Sequence, residues 1–384
     1  MSRQTLALIV LFAVAALAGC ARAGQEAPPP VEVTRVVTTV VEVTAPPPVA
    51  PARPKELVIC MAQEPASIYV YGEAMLTARA IRHALYTNYI TNLAYDYQAD
   101  GLEKIPSLAD GDAVIELVQV GAGDIVRRAD DTVGPLAVGD ALVDAAGATV
   151  TFSGTPLSVG QMVVDFTMKP TVWSDGTPVS ATDSVYSFNV ASQPETTAPK
   201  YTIERTAAYE ATGDLSVRWT GLPGFTDSTY FLNFWQPLPE HLWGHLSAAQ
   251  LMQADESNRL PVGDGPFRIL QWTPGESMRL TRNEHYYRAD EGLPYLDRVT
   301  IRFIPDTNQL LAQLLNGQCD IGTQDGLNAD AVPLLLEAEA SGLLVPYFQT
   351  GTTYQQIAFN VNPYGDYAET RYDWFEDARV RQAM

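Results

Sequence analysis

The stretch GDGPFRILQWTPGESMRLTRNEHYYRADEGLPYLDRVTIRFIPD, residues 263–306, decides the fold. Its first part alternates apolar and polar residues on either side of Pro274 and Gly275. Proline followed by glycine is the pair that a type II turn favours, so this part predicts a β-hairpin. The alternation resumes at residues 298–303, which predicts a further strand with one apolar face.

The residues that follow this stretch complete a supersecondary unit. NQLLAQLLNG, residues 308–317, has the pattern of a short helix that Gly317 ends. CDIG, residues 319–322, is a short strand-like run. Strand, helix and strand in so few residues predict a βαβ unit with parallel strands.

Composition restricts the function classes. The chain has 384 residues and a net charge of −21, which argues against nucleic acid as a partner, because phosphate binding needs a surplus of Lys and Arg. No CxxC, HExxH, GxSxG or P-loop motif occurs in the sequence. We therefore expect no cofactor, no metal and no catalytic residue. His241 and His245, which are four residues apart, are expected to lie on the surface of a helix. A secreted hydrolase is the remote enzymatic alternative, and an adhesin-like surface module is the structural one.

Residues 1–20 carry an export signal. Arg3 precedes an apolar run from Leu6 to Leu17, which is shorter than the roughly 20 residues of a membrane span. The run ends in LAGC, which resembles the lipobox of bacterial lipoproteins. This resemblance implies cleavage before Cys20 and lipid attachment to its sulfur, with plain secretion as the alternative.

Residues 21–54 predict an extended tether. Two triple-proline tracts flank a Val/Thr-rich middle that has few large apolar residues to pack with. At about 3.1 Å per residue in polyproline geometry, the tether could reach on the order of 100 Å from a membrane.

The body of the chain mixes strands and helices. Residues 55–65 predict a buried first strand, residues 73–90 a helix, and residues 110–168 small antiparallel strands. Ser180, with Asp183 three residues later, predicts the capped start of another helix. The last helical pattern runs to Met384 without a cap, and we expect a truncated chain.

Several segments together resemble the extracellular solute-binding proteins of family 5, which are the oligopeptide- and dipeptide-binding components of ABC importers. These segments are VWSDGTPVSATDSVYSF (172–188), PLPEHLW (237–243), PVGDGPFRILQWTPGESMRLTRNEHYY (261–287), LLNGQCDIG (314–322), and AFNVN with FEDARVRQAM (358–362 and 375–384). Asp264 departs from the pattern, because it occupies the place where the family usually has threonine.

The resemblance implies an α/β fold of the type II periplasmic-binding-protein class, with two lobes and an extra N-terminal α+β subdomain. We expect residues 55–75 and 262–350 to form the first lobe and residues 76–261 the accessory subdomain. Residues 351–384 would be the crossing to a second lobe that is largely missing from this chain.

The resemblance also implies a function. Such a protein would be a monomeric receptor, held outside the cytoplasm by its lipid, that captures peptides in an interlobe cleft. It would deliver them to the permease subunits of an ABC importer. Oligosaccharide-binding members, and members that bind nickel or haem, are the alternatives within the family.

The expected ligand contacts lie in the loop after the first strand and in the crossing segment, where tyrosine and glutamine suit the recognition of backbone amides. They are Tyr71, Glu73, Met75, Tyr354, Gln356 and Asn360.

Two further expectations concern structural residues. Trp173, Asp175 and Gly176 are expected to form a turn rather than a ligand site. Cys60 and Cys319 would lie on neighbouring strands in this fold. They could form a disulfide bond or remain as two buried free thiols.

Overall fold

Residues 263–306 form three strands of a mixed β-sheet. The structure is a computed structural model that describes residues 54–93, 95–348 and 374–383. The strands in these residues are β1 Glu56–Met61, β2 Ile90–Thr91, β3 Gln98–Ala99, β4 Ala113–Val120, β5 Ile125–Arg127, β6 Val133–Pro135, β7 Ala141–Val143, β8 Thr149–Thr151, β9 Leu157–Thr167, β10 Thr206–Ala211, β11 Ser216–Gly221, β12 Phe267–Thr273, β13 Ser277–Arg282, β14 Arg298–Phe303 and β15 Ile321–Gly322. The helices are α1 Leu76–Leu85, α2 Ala181–Ala191, α3 Lys200–Glu204, α4 Glu240–Trp243, α5 Ala248–Leu251, α6 Asp255–Asn258, α7 Thr307–Leu315, α8 Val332–Ala340 and α9 Ala378–Ala383.

Five strands form this sheet, in the order β12-β13-β14-β1-β15. β1 lies parallel between β14 and β15, so that Ile59 is opposite Ile301 on one side and Ile321 on the other. α7 connects β14 to β15, and this confirms the predicted strand–helix–strand unit. β12 and β13 form the predicted hairpin, in which Gly275 has a φ of +73°, as the third position of a type II turn requires.

The two faces of this sheet pack against different helices. On one face, Ile81 and Leu85 of α1 are buried with apolar residues of β12, β13 and β14. On the other face, Leu310 of α7 packs with Cys60 and Cys319. α1, which follows the expected boundary at residue 76, therefore packs against this sheet.

A second sheet, in the order β10-β11-β9-β4, forms the centre of the accessory subdomain. Phe166, Val217 and Trp219 lie in its core, and α2 packs against β10 and β11. α2 begins as predicted, because the Ser180 N–H donates to the Asp183 carboxylate at 2.9 Å. The sequence patterns of 110–168 and 180–191 therefore gave the correct element types.

The segment between β4 and β9 holds two copies of one β-hairpin, which we call the hairpin module, residues 121–156. β5 pairs with β6, and β7 pairs with β8, both antiparallel. The copies are offset by 16 residues (139 minus 123), and Gly123 and Gly139 have φ values of +92° and +101°. Asp131 and Gly147, which are also equivalent, have φ values of +70° and +82°.

The hydrogen bonds of the hairpin module repeat with the same offset. The Leu136 N–H donates to the Asp124 carbonyl at 2.8 Å, and the Phe152 N–H donates to the Asp140 carbonyl at 2.8 Å. The module's buried apolar residues Val126, Leu136, Leu142 and Phe152 form a cluster with Val120 of β4 and Val159 of β9. The shared backbone pattern indicates a duplicated unit inserted into the β4–β9 hairpin and packed on its end.

Among the residues that the structure describes, an ion pair joins the first copy, but not the second, to the rest of the subdomain. The Asp131 carboxylate lies 3.1 Å from Arg205 Nη2 and accepts a hydrogen bond from Tyr201. The second copy has Gly147 at the equivalent position, so it offers no side chain for such a contact.

The hairpin module should be removable. Val120 lies directly opposite Leu157 in the β4–β9 ladder, so a two-residue Asn-Gly turn can replace residues 121–156. We expect the shortened chain to fold. Its far-ultraviolet circular dichroism spectrum should show the remaining strands and helices, and its thermal unfolding should be cooperative. Deletion of residues 137–152 alone is the control, because it leaves the first hairpin without its core partner. A shortened chain that fails to fold would show that the module is part of the subdomain core.

Candidate functional site

The carboxyl ends of the parallel strands β14, β1 and β15 meet at one edge of the first sheet, where ligands bind in open α/β sheets. The loop that leaves β1 at this edge, residues 62–75, leads to α1. Asp325, just after β15, accepts hydrogen bonds from the N–H groups of Ala62 and Gln63, both at 2.8 Å. One carboxylate thus holds the start of the loop against the neighbouring strand.

Further contacts fasten the same loop on its other sides. Glu64 accepts hydrogen bonds from Trp272 Nε1 and from the Gly275 N–H, both at 2.7 Å, and so joins the loop to the β12–β13 turn. Arg82 of α1 donates to the carbonyls of Val70 and Glu73. The loop is therefore held in one conformation by charged side chains, as a preorganised binding surface requires.

The three predicted contacts in this loop have different environments. The Tyr71 ring is buried, and its hydroxyl shares a hydrogen bond of 2.7 Å with Ser187. Glu73 accepts a hydrogen bond from the Ser67 N–H at 2.9 Å. The Met75 side chain is 39% exposed, next to Leu76 at 61%. Of the three, Met75 presents the most free surface.

The remaining predicted site residues, Cys20, Tyr354, Gln356 and Asn360, lie outside the residues that the structure describes. Gln63, which is not among the residues expected from the sequence, is exposed two residues after the end of β1.

A groove of about 250 Å³ opens at the same edge, on the α7 side of the sheet. The β12–β13 turn, the end of β14 and α7 line it, and its polar side chains are Glu276, Ser277, Thr300, Arg302, Gln309 and Gln313. Gln313 Oε1 is buried and has no hydrogen-bond partner. The groove therefore offers both donors and an unused acceptor.

The Trp173–Gly176 segment forms a tight turn away from this edge. Trp173 is fully buried, its carbonyl accepts from the Gly176 N–H at 2.8 Å, and Gly176 has a φ of +95°. His241 Nε2 lies 2.8 Å from Asp175 Oδ2. Burial alone would raise the pKa of Asp175, but hydrogen bonds from His241 and Thr177 outweigh it and lower that pKa.

The histidines form no metal centre in the described part of the chain, where no group of three or more His, Cys, Asp or Glu side chains is arranged to hold an ion. His241, in α4, is engaged with Asp175, and His245 lies beyond the end of α4 and is exposed.

Asp264, which lies just before β12, binds the segment that follows α1. Its carboxylate accepts hydrogen bonds from the Thr87 N–H at 2.9 Å and the Tyr89 hydroxyl at 3.0 Å. The neighbouring Gly263 and Gly265 lie against the backbone after α1, where a Cβ on Gly263 would approach the Leu85 carbonyl oxygen to 2.0 Å. Burial raises the pKa of Asp264 to about 6, although these hydrogen bonds favour the charged form.

Cys60 and Cys319 are joined by a disulfide bond, with their Cα atoms 5.8 Å apart. Cys60 lies on β1, and Cys319 immediately precedes β15. The bond links two parts of the chain separated by 259 residues.

The sequence model of the bacterial extracellular solute-binding proteins, family 5, middle region, matches residues 157–384. This match covers more than half of the chain. The protein belongs to this family. The match begins directly after the hairpin module, so the module lies outside the matched region of this family 5 protein.

Curated relatives and solved structures agree with the assignment. The oligopeptide-binding protein AppA of Bacillus subtilis is 27% identical over 230 residues, which are 59% of this chain and 39% of AppA. The glutathione-binding protein GsiB of Pectobacterium atrosepticum is 30% identical over 149 residues, 38% of this chain and 27% of GsiB. The chain therefore matches well under half the length of these relatives.

Two solved structures show the fold. B. subtilis AppA in complex with a nonapeptide has a TM-score of 0.50 at 23% identity, covering 70% of this chain and 44% of AppA. The binding protein MoaA from A. tumefacien R10, in complex with mannopinic acid, has a TM-score of 0.51 at 18% identity, covering 74% and 48%. The fold is thus that of type II periplasmic binding proteins. No helix among the described residues is both long and apolar enough to cross a membrane.

Asp264 should make stability depend on pH. Its folded-state pKa of about 6 exceeds the unfolded value of 3.8, so the folded state gains stability as pH falls from above 6 towards 4. Asp264→Asn keeps an acceptor for the Thr87 N–H, offers an N–H to the Tyr89 hydroxyl oxygen, and should stabilise the protein by up to about 3 kcal/mol at pH 8. Denaturant unfolding between pH 5 and 8 measures both effects. The exposed Asp290→Asn is the control, and equal pH profiles for the two variants would contradict the assignment.

The disulfide should contribute strongly to stability, because it closes a very long loop in the unfolded chain. Cys60→Ala/Cys319→Ala should lower the free energy of unfolding by about 2–5 kcal/mol, while Cys20→Ser should leave it unchanged. Denaturant unfolding measures the difference. Non-reducing peptide mapping should recover Cys60 and Cys319 in one linked peptide, and recovery of both as free thiols would refute the bond.

Proposed function

We propose that this family 5 protein is a lipid-anchored extracytoplasmic receptor that captures peptides and delivers them to an ABC permease for import. The observation that carries the proposal is the family match over residues 157–384. AppA, a relative over 230 residues, is named an oligopeptide-binding protein, which favours peptides as the ligand class.

Three features of the chain support this role. The carboxyl edge of the parallel strands is held by Asp325 and Glu64 and is free to face a second lobe. The Cys60–Cys319 disulfide suits an oxidising compartment outside the cytoplasm. The LAGC sequence after the apolar leader supports lipid attachment at Cys20.

The ligand would lie along the carboxyl edge. Met75 and Leu76 supply exposed apolar surface there, and Gln63 supplies a carboxamide that both donates and accepts. Tyr354, Gln356 and Asn360 are the proposed contacts from the crossing segment. Tyr71 and Glu73 would act mainly by fixing the loop, because Ser187 and the Ser67 N–H already engage their polar groups.

Ligand capture can be tested on the full-length gene product. A peptide pool at 100 times the dissociation constant should add about 2.7 kcal/mol to the free energy of unfolding, and native mass spectrometry of the purified protein should reveal bound peptides. Cello- and manno-oligosaccharides at the same concentration serve as the comparison and should leave the melting temperature unchanged. Stabilisation by an oligosaccharide alone would replace the peptide assignment with the sugar-binding alternative.

A further inference from the structure

Half of one face of the five-stranded sheet is uncovered in the described body. α7 packs over β1 and β15, with Val58, Leu314 and Leu327 around it. The same face of β12, β13 and β14 carries polar residues instead. We call this surface the arginine face; its members are Arg268, Gln271, Ser277, Arg279, Thr281, Arg298, Thr300 and Arg302.

The strand register brings the arginines together. Arg279 lies directly opposite Thr300, and Arg298 and Arg302 flank Thr300 on the same strand. Thr281 lies between Arg268 and Arg298 across the three strands. With strands about 4.8 Å apart and about 3.3 Å per residue along a strand, the Cα atoms of Arg268, Arg279, Arg298 and Arg302 cover an area of about 10 by 13 Å.

This concentration of positive charge has few counter-charges. Glu56 lies 3.9 Å from Arg298 Nη1, and its carboxylate also accepts a hydrogen bond from Thr300. Arg279 donates to the Gln271 carboxamide. Arg268 and Arg302 have no acidic partner within 4.0 Å in the described part of the chain. Each of the four arginines lies opposite an uncharged residue or Glu56, so the sheet gathers positive charge without placing two arginines opposite each other, in a chain of net charge −21.

The groove at the sheet edge continues the arginine face. Arg302, Thr300 and Ser277 belong to both, and Gln309 and Gln313 of α7 form the opposite wall. The buried Gln313 Oε1 is an acceptor without a partner. The groove thus places the carboxamides of Gln309 and Gln313, which can both donate and accept, beside the arginines.

We propose that the arginine face and the adjoining groove are a docking site for an acidic polypeptide segment. Arginine guanidinium groups bind carboxylates with two parallel hydrogen bonds, and arginine Cα atoms spread over about 10 by 13 Å suit several carboxylates along one chain better than one small anion. An anionic bilayer fits less well, because it would also meet the surrounding negative charge of the protein. A peptide contacts only the arginine face, and acidic residues of the protein that lie farther from it than the Debye length of about 8–10 Å are largely screened.

Fluorescence anisotropy with labelled hexaglutamate tests the proposal on the full-length protein at 20 and 150 mM salt. The test variant is Arg279→Gln/Arg302→Gln, and the control Arg79→Gln/Arg379→Gln removes the same charge from other surfaces. All four side chains are at least partly exposed, and circular dichroism melting verifies folding.

We expect the wild type and the control to bind hexaglutamate, the test variant to bind at least tenfold more weakly, and salt to weaken binding. Equal affinity for the test variant, or no binding by the wild type at 20 mM salt, would overturn the proposal. Arginine-dependent binding to phosphatidylglycerol vesicles or to inorganic phosphate, without binding to hexaglutamate, would overturn it as well. Because the groove adjoins the carboxyl edge, the peptide-pool experiment is repeated on the test variant, and unchanged stabilisation by the pool together with lost hexaglutamate binding separates this site from peptide capture.

Discussion

The parallel ladder between β1 and β14 is the interaction on which the rest of the structure depends. Six consecutive residues of β1 pair with β14, from Glu56 opposite Arg298 to Met61 opposite Phe303. Just before the ladder, the Lys55 N–H donates to Asp297 across 242 residues of sequence. A pairing so distant in sequence closes a very long loop, which is costly in chain entropy. Burial of Val299, Ile301 and Phe303 on the α1 side and the Cys60–Cys319 bond offset this cost.

The same ladder creates the carboxyl edge. Because β1 lies between two parallel neighbours, the loops after all three strands leave at one side of the sheet. Carboxylates at this edge, from Glu64 and Asp325, are used to hold the loop after β1 and not to hold an ion. This division between a rigid loop and a few exposed side chains is what a receptor needs, since an ordered surface loses little entropy when a ligand arrives.

Much of this fold could be predicted from sequence. The alternation of apolar and polar residues and the turn residues predicted the hairpin, β14, α7 and β15, because these patterns depend only on neighbouring residues. The hairpin module was missed as a duplicated unit, although the 16-residue spacing of its Gly-Asp pairs, 123–124 and 139–140, was available. The placement of α1 with the sheet lobe could not be read from its amphipathic pattern, since periodicity shows that a face is buried but not against which sheet. The partners of Tyr71 and Glu73 depend on tertiary contacts and were equally inaccessible.

Hydrogen exchange of the backbone amides most directly tests the claim that β1, paired between β14 and β15, joins two distant parts of the chain into one sheet. The account predicts that the amides of residues 57–61 exchange slowly and lose protection together with those of residues 299–303 as denaturant is added. Rapid exchange in residues 57–61 while residues 299–303 and 278–282 stay protected would contradict it, because the sheet would then be stable without its N-terminal strand.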